Sequence, residues 1–155
     1  MPEINISTGI IDLPVNGKRT IKLNPRDPNE VYKLVALMDN VQAIYDECEK
    51  KIEKNRERGK DLNYYKARDK RITETIDSVY GDGFWNEAFD FVNPFAVTDD
   101  GLYMLEAFAY SVMDRMNEST LSSLEKRNAR IDAYTSKWKN RGRTQKQTVE
   151  TPTGD

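Results

Sequence analysis

The stretch DPNEVYKLVALMDNVQAIYDECEKKI, residues 27–52, decides the fold. Val31, Leu34, Met38, Val41, Tyr45, Cys48 and Ile52 recur alternately three and four positions apart, which lines them up on one helix face as a heptad seam. Asp27 suits the N-cap. Pro28 suits the first helical position, where its missing N–H costs nothing, and Glu30 the reciprocal position of a capping box. The helix is expected to run to about residue 58, roughly 45 Å at about 1.5 Å per residue, until Gly59 interrupts it.

Upstream, the period changes to that of strands. Ile4, Ile6, Ile10-Ile11 and Leu13 precede Val15-Asn16-Gly17, and Thr20-Ile21-Lys22-Leu23 follows. Asn-Gly between extended, β-branched stretches signals a tight hairpin, because both central residues of a type I′ turn need positive φ. Residues 3–23 therefore read as a β-hairpin or small meander, which needs the helices or another subunit to lie on.

Downstream, Leu62, Tyr65, Ile72, Ile76 and Val79 predict a second helix over 61–80, with Asp69 where the next apolar residue should stand. The short Gly59-Lys60-Asp61 link folds it back antiparallel on the first. Gly81-Asp82-Gly83 ends it, and a short helix over 83–92 stops before Pro94. Thr98-Asp99-Asp100-Gly101 opens a fourth helix carrying Leu102, Leu105, Phe108, Ala109, Val112, Met113 and Met116. A fifth begins near Ser119 and runs to about residue 140, with Leu121, Leu124, Ile131, Tyr134 and Trp138 on one side. The expected fold is thus mainly α: an N-terminal β-hairpin, a long antiparallel helical hairpin and three further helices. One domain over 1–141 (3–23, 27–80 and 83–140) is followed by a polar, disordered tail over 142–155.

Composition removes several chemistries. The 155 residues include no histidine and one cysteine, Cys48, so neither a histidine-based triad nor a Cys/His metal cluster is available. The thiol on the seam reads as buried and structural. Asp90, Asp99 and Asp100 form the densest acidic group, but no calcium-loop pattern surrounds them, and acids in a helix's first turn are ordinary dipole partners. No phosphate-loop motif, cofactor signature or membrane-length apolar run is present. The stretch Lys137-Trp138-Lys139-Asn140-Arg141 sets an aromatic among bases, yet one Trp at helical register is more often packing, and nucleic acid is the weaker reading. A reducing, cytosolic setting fits.

The formal net charge of -2 conceals segregation. Between Glu74 and Glu118 acids outnumber bases ten to one, and between Lys126 and Lys146 bases outnumber acids eight to one, a pattern that favours pairing within the chain or self-association. The block Phe84, Trp85, Phe89, Phe91 and Phe95 holds four of the five phenylalanines. It reads either as core or, with the face made by Leu102, Leu105, Phe108, Val112 and Met116, as a partner-binding surface.

The order of these features resembles a known family. Ile4-Asn5-Ile6-Ser7-Thr8-Gly9 is followed by Val15-Asn16-Gly17, then Ile21-Lys22-Leu23-Asn24-Pro25-Arg26-Asp27. A charged helical pair, Ile76-Asp77-Ser78-Val79-Tyr80-Gly81, Asn93-Pro94-Phe95-Ala96 and a helix closing with Met113-Asp114 come after. Over residues 4–116 this looks like the tail assembly chaperones of long-tailed phages and prophages of Gram-positive bacteria. Tyr80 stands where the family would have phenylalanine, and the last helix extends past the resemblance. The resemblance implies a non-enzymatic helical protein of the bacterial host's cytoplasm that binds the tape-measure protein, keeps its apolar helices soluble and helps recruit the tail-tube protein. It also implies absence from the mature virion and a longer frameshifted product. Two other classes fit the residues: a phage-encoded helical inhibitor or adaptor of a host protein, and a structural virion component.

Overall fold

The computed structural model describes residues 2–54 and 61–145, apart from the side chains of 61, 134 and 137–145. The chain is mainly helical, with a two-stranded antiparallel hairpin followed by four helices. Contacts divide it into two compact units, Met1–Asn117 and Glu118–Asp155.

The first unit begins with an irregular, exposed segment, and the hairpin pairs β1 (Ile11–Val15) with β2 (Arg19–Leu23). The expected strand character of residues 4–8 does not materialise. Ile4 and Ile6 are largely exposed, and among the described residues no strand pairs with them to take their backbone hydrogen bonds. At the turn Asn16 and Gly17 both have positive φ, 54° and 70°, as the Asn-Gly signal requires. Leu13 lies opposite Ile21 and Ile11 opposite Leu23, so one face of the hairpin is apolar. Ile21 and Leu23 are fully buried in the core, with Ile11, Leu13 and Val15 packed against it. The hairpin therefore lies on the helices.

Helix α1 spans Pro28–Lys54 and α2 Asp61–Tyr80. They run antiparallel: Glu49 meets Arg68, and at the other end Lys33 lies over the Tyr80 ring. The expected stop at Gly59 falls outside the described residues. Asp27 Oδ1 accepts the Asn29 N–H at 3.0 Å, as a cap should. Glu30 departs from the simple capping box: its carboxylate accepts the Asn24 N–H at 2.9 Å, six residues upstream, tying the end of β2 to the start of α1. Asn24 in turn donates to the Thr8 carbonyl at 2.6 Å, which fixes the N-terminal segment.

Helix α3 is shorter than its pattern suggested, Phe84–Ala88. Its cap is borrowed from α2, since Asp77 Oδ1 accepts the Trp85 N–H at 2.9 Å. Helix α4 spans Met104–Gln145 as one element of 42 residues, which corrects the expected separate helices on either side of residue 117. Ser119 and Thr120 resembled an N-cap pair, yet no glycine or proline lies between Leu102 and Arg141, so nothing breaks the backbone ladder there. Its start is also later than expected. The Thr98–Gly101 segment is a turn, and Met104 and Leu105 donate their N–H groups to the carbonyls of Ala96 and Pro94 at 2.8 and 2.9 Å. Glu106 completes the start by accepting the Tyr103 N–H at 2.9 Å.

Candidate partner-binding site

The core of the first unit absorbs most of the aromatic block. Phe84 and Trp85 have no exposure, Leu105, Phe108, Val112 and Met116 are each at most 5% exposed, and Phe89 and Phe95 are half-buried against them. Trp85 stacks on Phe89 at 4.0 Å, and its indole N–H donates to the Val92 carbonyl at 2.7 Å, so the largest side chain of the core carries no unmet donor. Phe108 joins the cluster edge-on to Phe89 and Tyr80. Leu102 is half-buried. Of the ten residues read as a partner surface, Phe91 alone stands well out, at 80% exposure and with φ of 63°. The Phe91 N–H donates to the Asn86 carbonyl at 2.9 Å, and this six-residue closure of α3 holds the chain left-handed.

Acidic groups of the middle region meet bases of the hairpin. Arg19 donates to Glu87 at 2.9 Å, and Lys18 pairs with Asp90. Asn16 donates to the Ala88 carbonyl at 2.9 Å, so the hairpin turn is tied to the end of α3 at three neighbouring points. Where α1 and α2 face each other, the seam contains a polar layer. Arg68, 9% exposed, lies over the rings of Tyr45, Tyr65 and Phe95 at 4.6, 5.0 and 5.7 Å. Its guanidinium donates to Glu49 at 3.0 Å and Asp69 at 3.1 Å. Asp69 also accepts the Asn93 amide at 2.8 Å, which links the layer to the loop before α4. The interruption of the apolar pattern at Asp69 marks this layer, but the buried member is its neighbour Arg68.

Two hollows follow the cleft between α1 and the first part of α4. One, of about 310 Å³, lies between Val41 and Tyr45 on one side and Phe95, Tyr103 and Leu105 on the other. The next, of about 270 Å³, is walled by Leu34, Val35, Ala109, Tyr110 and Met113, and Met38 and Glu106 border both. Val35 and Tyr110 are 49% and 54% exposed, so apolar surface faces the solvent on both walls. A third hollow, of about 440 Å³, lies between β1 and α4 over Phe89 and Phe108, with Arg115 at its margin.

No family model, curated protein or solved structure matches this chain. Among the described residues no three acidic or thiol groups converge in a metal-holding cluster, and no helix is long and apolar enough to cross a membrane. Cys48 is a buried free thiol, 3.9 Å from the Arg71 guanidinium. The surfaces that distinguish the molecule are apolar ones. Val35 and Tyr110 escaped the sequence pattern because each stands one position off its helix's seam, beside Leu34 and Ala109.

Proposed function

We propose that this chain is a non-enzymatic phage tail assembly chaperone that holds an amphipathic helix of the tape-measure protein in the cleft between α1 and α4. The observation that carries the reading is the cleft's length and lining. From Leu34 to Tyr45 the α1 wall is about three helical turns. Its apolar residues recur at the spacing of one helical face, which is how a groove grips a partner helix through successive anchors. Asp39 and Glu106 stand at the margins. They favour a partner helix whose apolar stripe is flanked by lysine or arginine. In this reading the protein acts in the cytoplasm of the bacterial host, brings the tail-tube protein to the growing tail, and leaves before the virion is complete.

Co-expression with a tape-measure fragment tests the proposal. The fragment is expected to become soluble and to co-purify with the chain. Val35→Glu together with Tyr110→Glu is expected to weaken the complex by at least about tenfold, since both are exposed anchors facing each other across the Leu34 end of the cleft, while the thermal melting of the free protein stays close to wild type. A fragment that stays insoluble, or one bound equally well by the double variant, would refute it. Mass spectrometry of finished particles separates the chaperone from a structural virion component, which would be retained.

A further inference from the structure

The second unit carries an exposed apolar face among its described residues. From Glu118 to Ser136 no described side chain of α4 is buried, and Leu121, Leu124 and Ile131 are 62%, 43% and 43% exposed. Counted in sevens, Leu121 and Leu124 take positions a and d, Asn128 and Ile131 the next a and d, and Thr135 the third a, with Trp138 following in the sequence at d. This frame does not continue the seam of Leu105, Ala109, Val112 and Met116, because a shift of register separates Met116 from Leu121. Within the first unit the helix packs by one stripe, and from Leu121 onward it carries another.

We propose that this stripe pairs with the same stripe of a second copy as a parallel, in-register, two-stranded coiled coil. Orientation follows from Asn128. In a parallel pair, position a meets position a, so the two Asn128 amides lie side by side and satisfy each other. In an antiparallel pair, a meets d, and Asn128 would be pressed against Leu124 or Ile131 with its amide unmet, at a cost of the order of a lost buried hydrogen bond. Charge agrees. Arg127 occupies g and Asp132 the following e, the two positions that face each other across a parallel pair, so two Arg127–Asp132 ion pairs form per dimer. Arg127 lies at the edge of the stripe beside Asn128, to which it donates at 3.4 Å. A stripe of little more than two heptads makes a reversible dimer rather than a permanent one.

Sedimentation equilibrium of the full chain over a range of concentrations tests the pairing, with cross-linking of Ile131→Cys as the test of orientation. Wild type is expected to show a monomer–dimer equilibrium. Arg127→Glu or Asp132→Lys alone should each weaken it by about tenfold, because two attractive contacts become two repulsive ones. The double exchange should restore it. Under mild oxidation Ile131→Cys should give a covalent dimer, whereas wild type, whose one thiol is buried, should not. The cleft variant Val35→Glu/Tyr110→Glu should dimerise as wild type does, so the two proposals stand or fall separately. A chain that stays monomeric at millimolar concentration overturns the pairing, as does a dimer indifferent to both charge reversals. An Ile131→Cys protein that fails to cross-link overturns the parallel register, and a stripe protected only when a tape-measure fragment is bound assigns it to that partner instead.

Discussion

At the scale of single residues, Arg68 ties α1, α2 and the loop before α4 together. Its guanidinium replaces water with three ring faces and two carboxylates, one of them, Glu49, still 42% exposed. Because the acids left behind by a substitution can turn partly to solvent, Arg68→Ala should cost about 2 kcal/mol, below the usual range for breaking a buried pair. Arg68→Met, which keeps the stem packed between the rings, should cost about half of that. Urea denaturation of the two variants separates packing from charge, and equal losses would assign the whole effect to charge. Tyr80 presents the opposite case of a polar group in an apolar setting. Burial, and secondarily the nearby Glu30 carboxylate, push its phenol from 10.0 to about 12. The folded protein holds the neutral form. The stabilising contribution is therefore complete below 10.0 and fades as pH rises toward about 12. Stability measured by urea over that window should fall less steeply with pH in Tyr80→Phe than in wild type; parallel slopes would place the alkaline sensitivity in other tyrosines.

At the scale of elements, what the sequence made legible follows from how locally each signal acts. The start of α1 at Pro28, the limits of α2 and the Asn16-Gly17 turn depend on residues within a few positions of themselves, and each stands where the pattern put it. The start of α4 does not. Asp99 and Asp100 looked like first-turn acids, but the helix waits until Met104 because its first N–H groups are met by carbonyls of the preceding loop, and no local pattern encodes a cap made by folded backbone. The merger across residue 117 has the same origin. Ser119-Thr120 is a cap only if the chain turns there, and with helix formers on both sides it does not. Glu106 is the one side chain in that start whose role a capping box would suggest, three residues after Tyr103. Glu106→Ala should cost about 1 kcal/mol of stability, because the Tyr103 N–H loses its acceptor. Thermal unfolding checks this, and an unchanged midpoint would mean that the loop carbonyls alone hold the helix start.

At the scale of the whole molecule, the candidate surfaces were only partly legible because a sequence shows which residues are apolar and not which neighbour covers them. Phe84, Trp85, Phe108 and Val112 have the composition of an interface and the burial of a core, since α3, the hairpin and α4 converge on them. Val35 and Tyr110 look incidental in the sequence yet remain uncovered, because α1 and α4 carry wider stripes than their neighbours fill. The division of the chain follows the same logic. The last buried side chain is Met116, one residue before the boundary at Asn117, and Glu118–Ser136 adds none among the described residues. A chain ending at Asn117 keeps every buried side chain of the described residues. It should unfold cooperatively within about 0.5 kcal/mol of the full chain. It should still keep a tape-measure fragment soluble through the cleft, but should no longer self-associate. Urea denaturation and sedimentation of the shortened protein measure both properties, and a destabilisation beyond about 1 kcal/mol would mean that residues after Asn117 support the first unit after all.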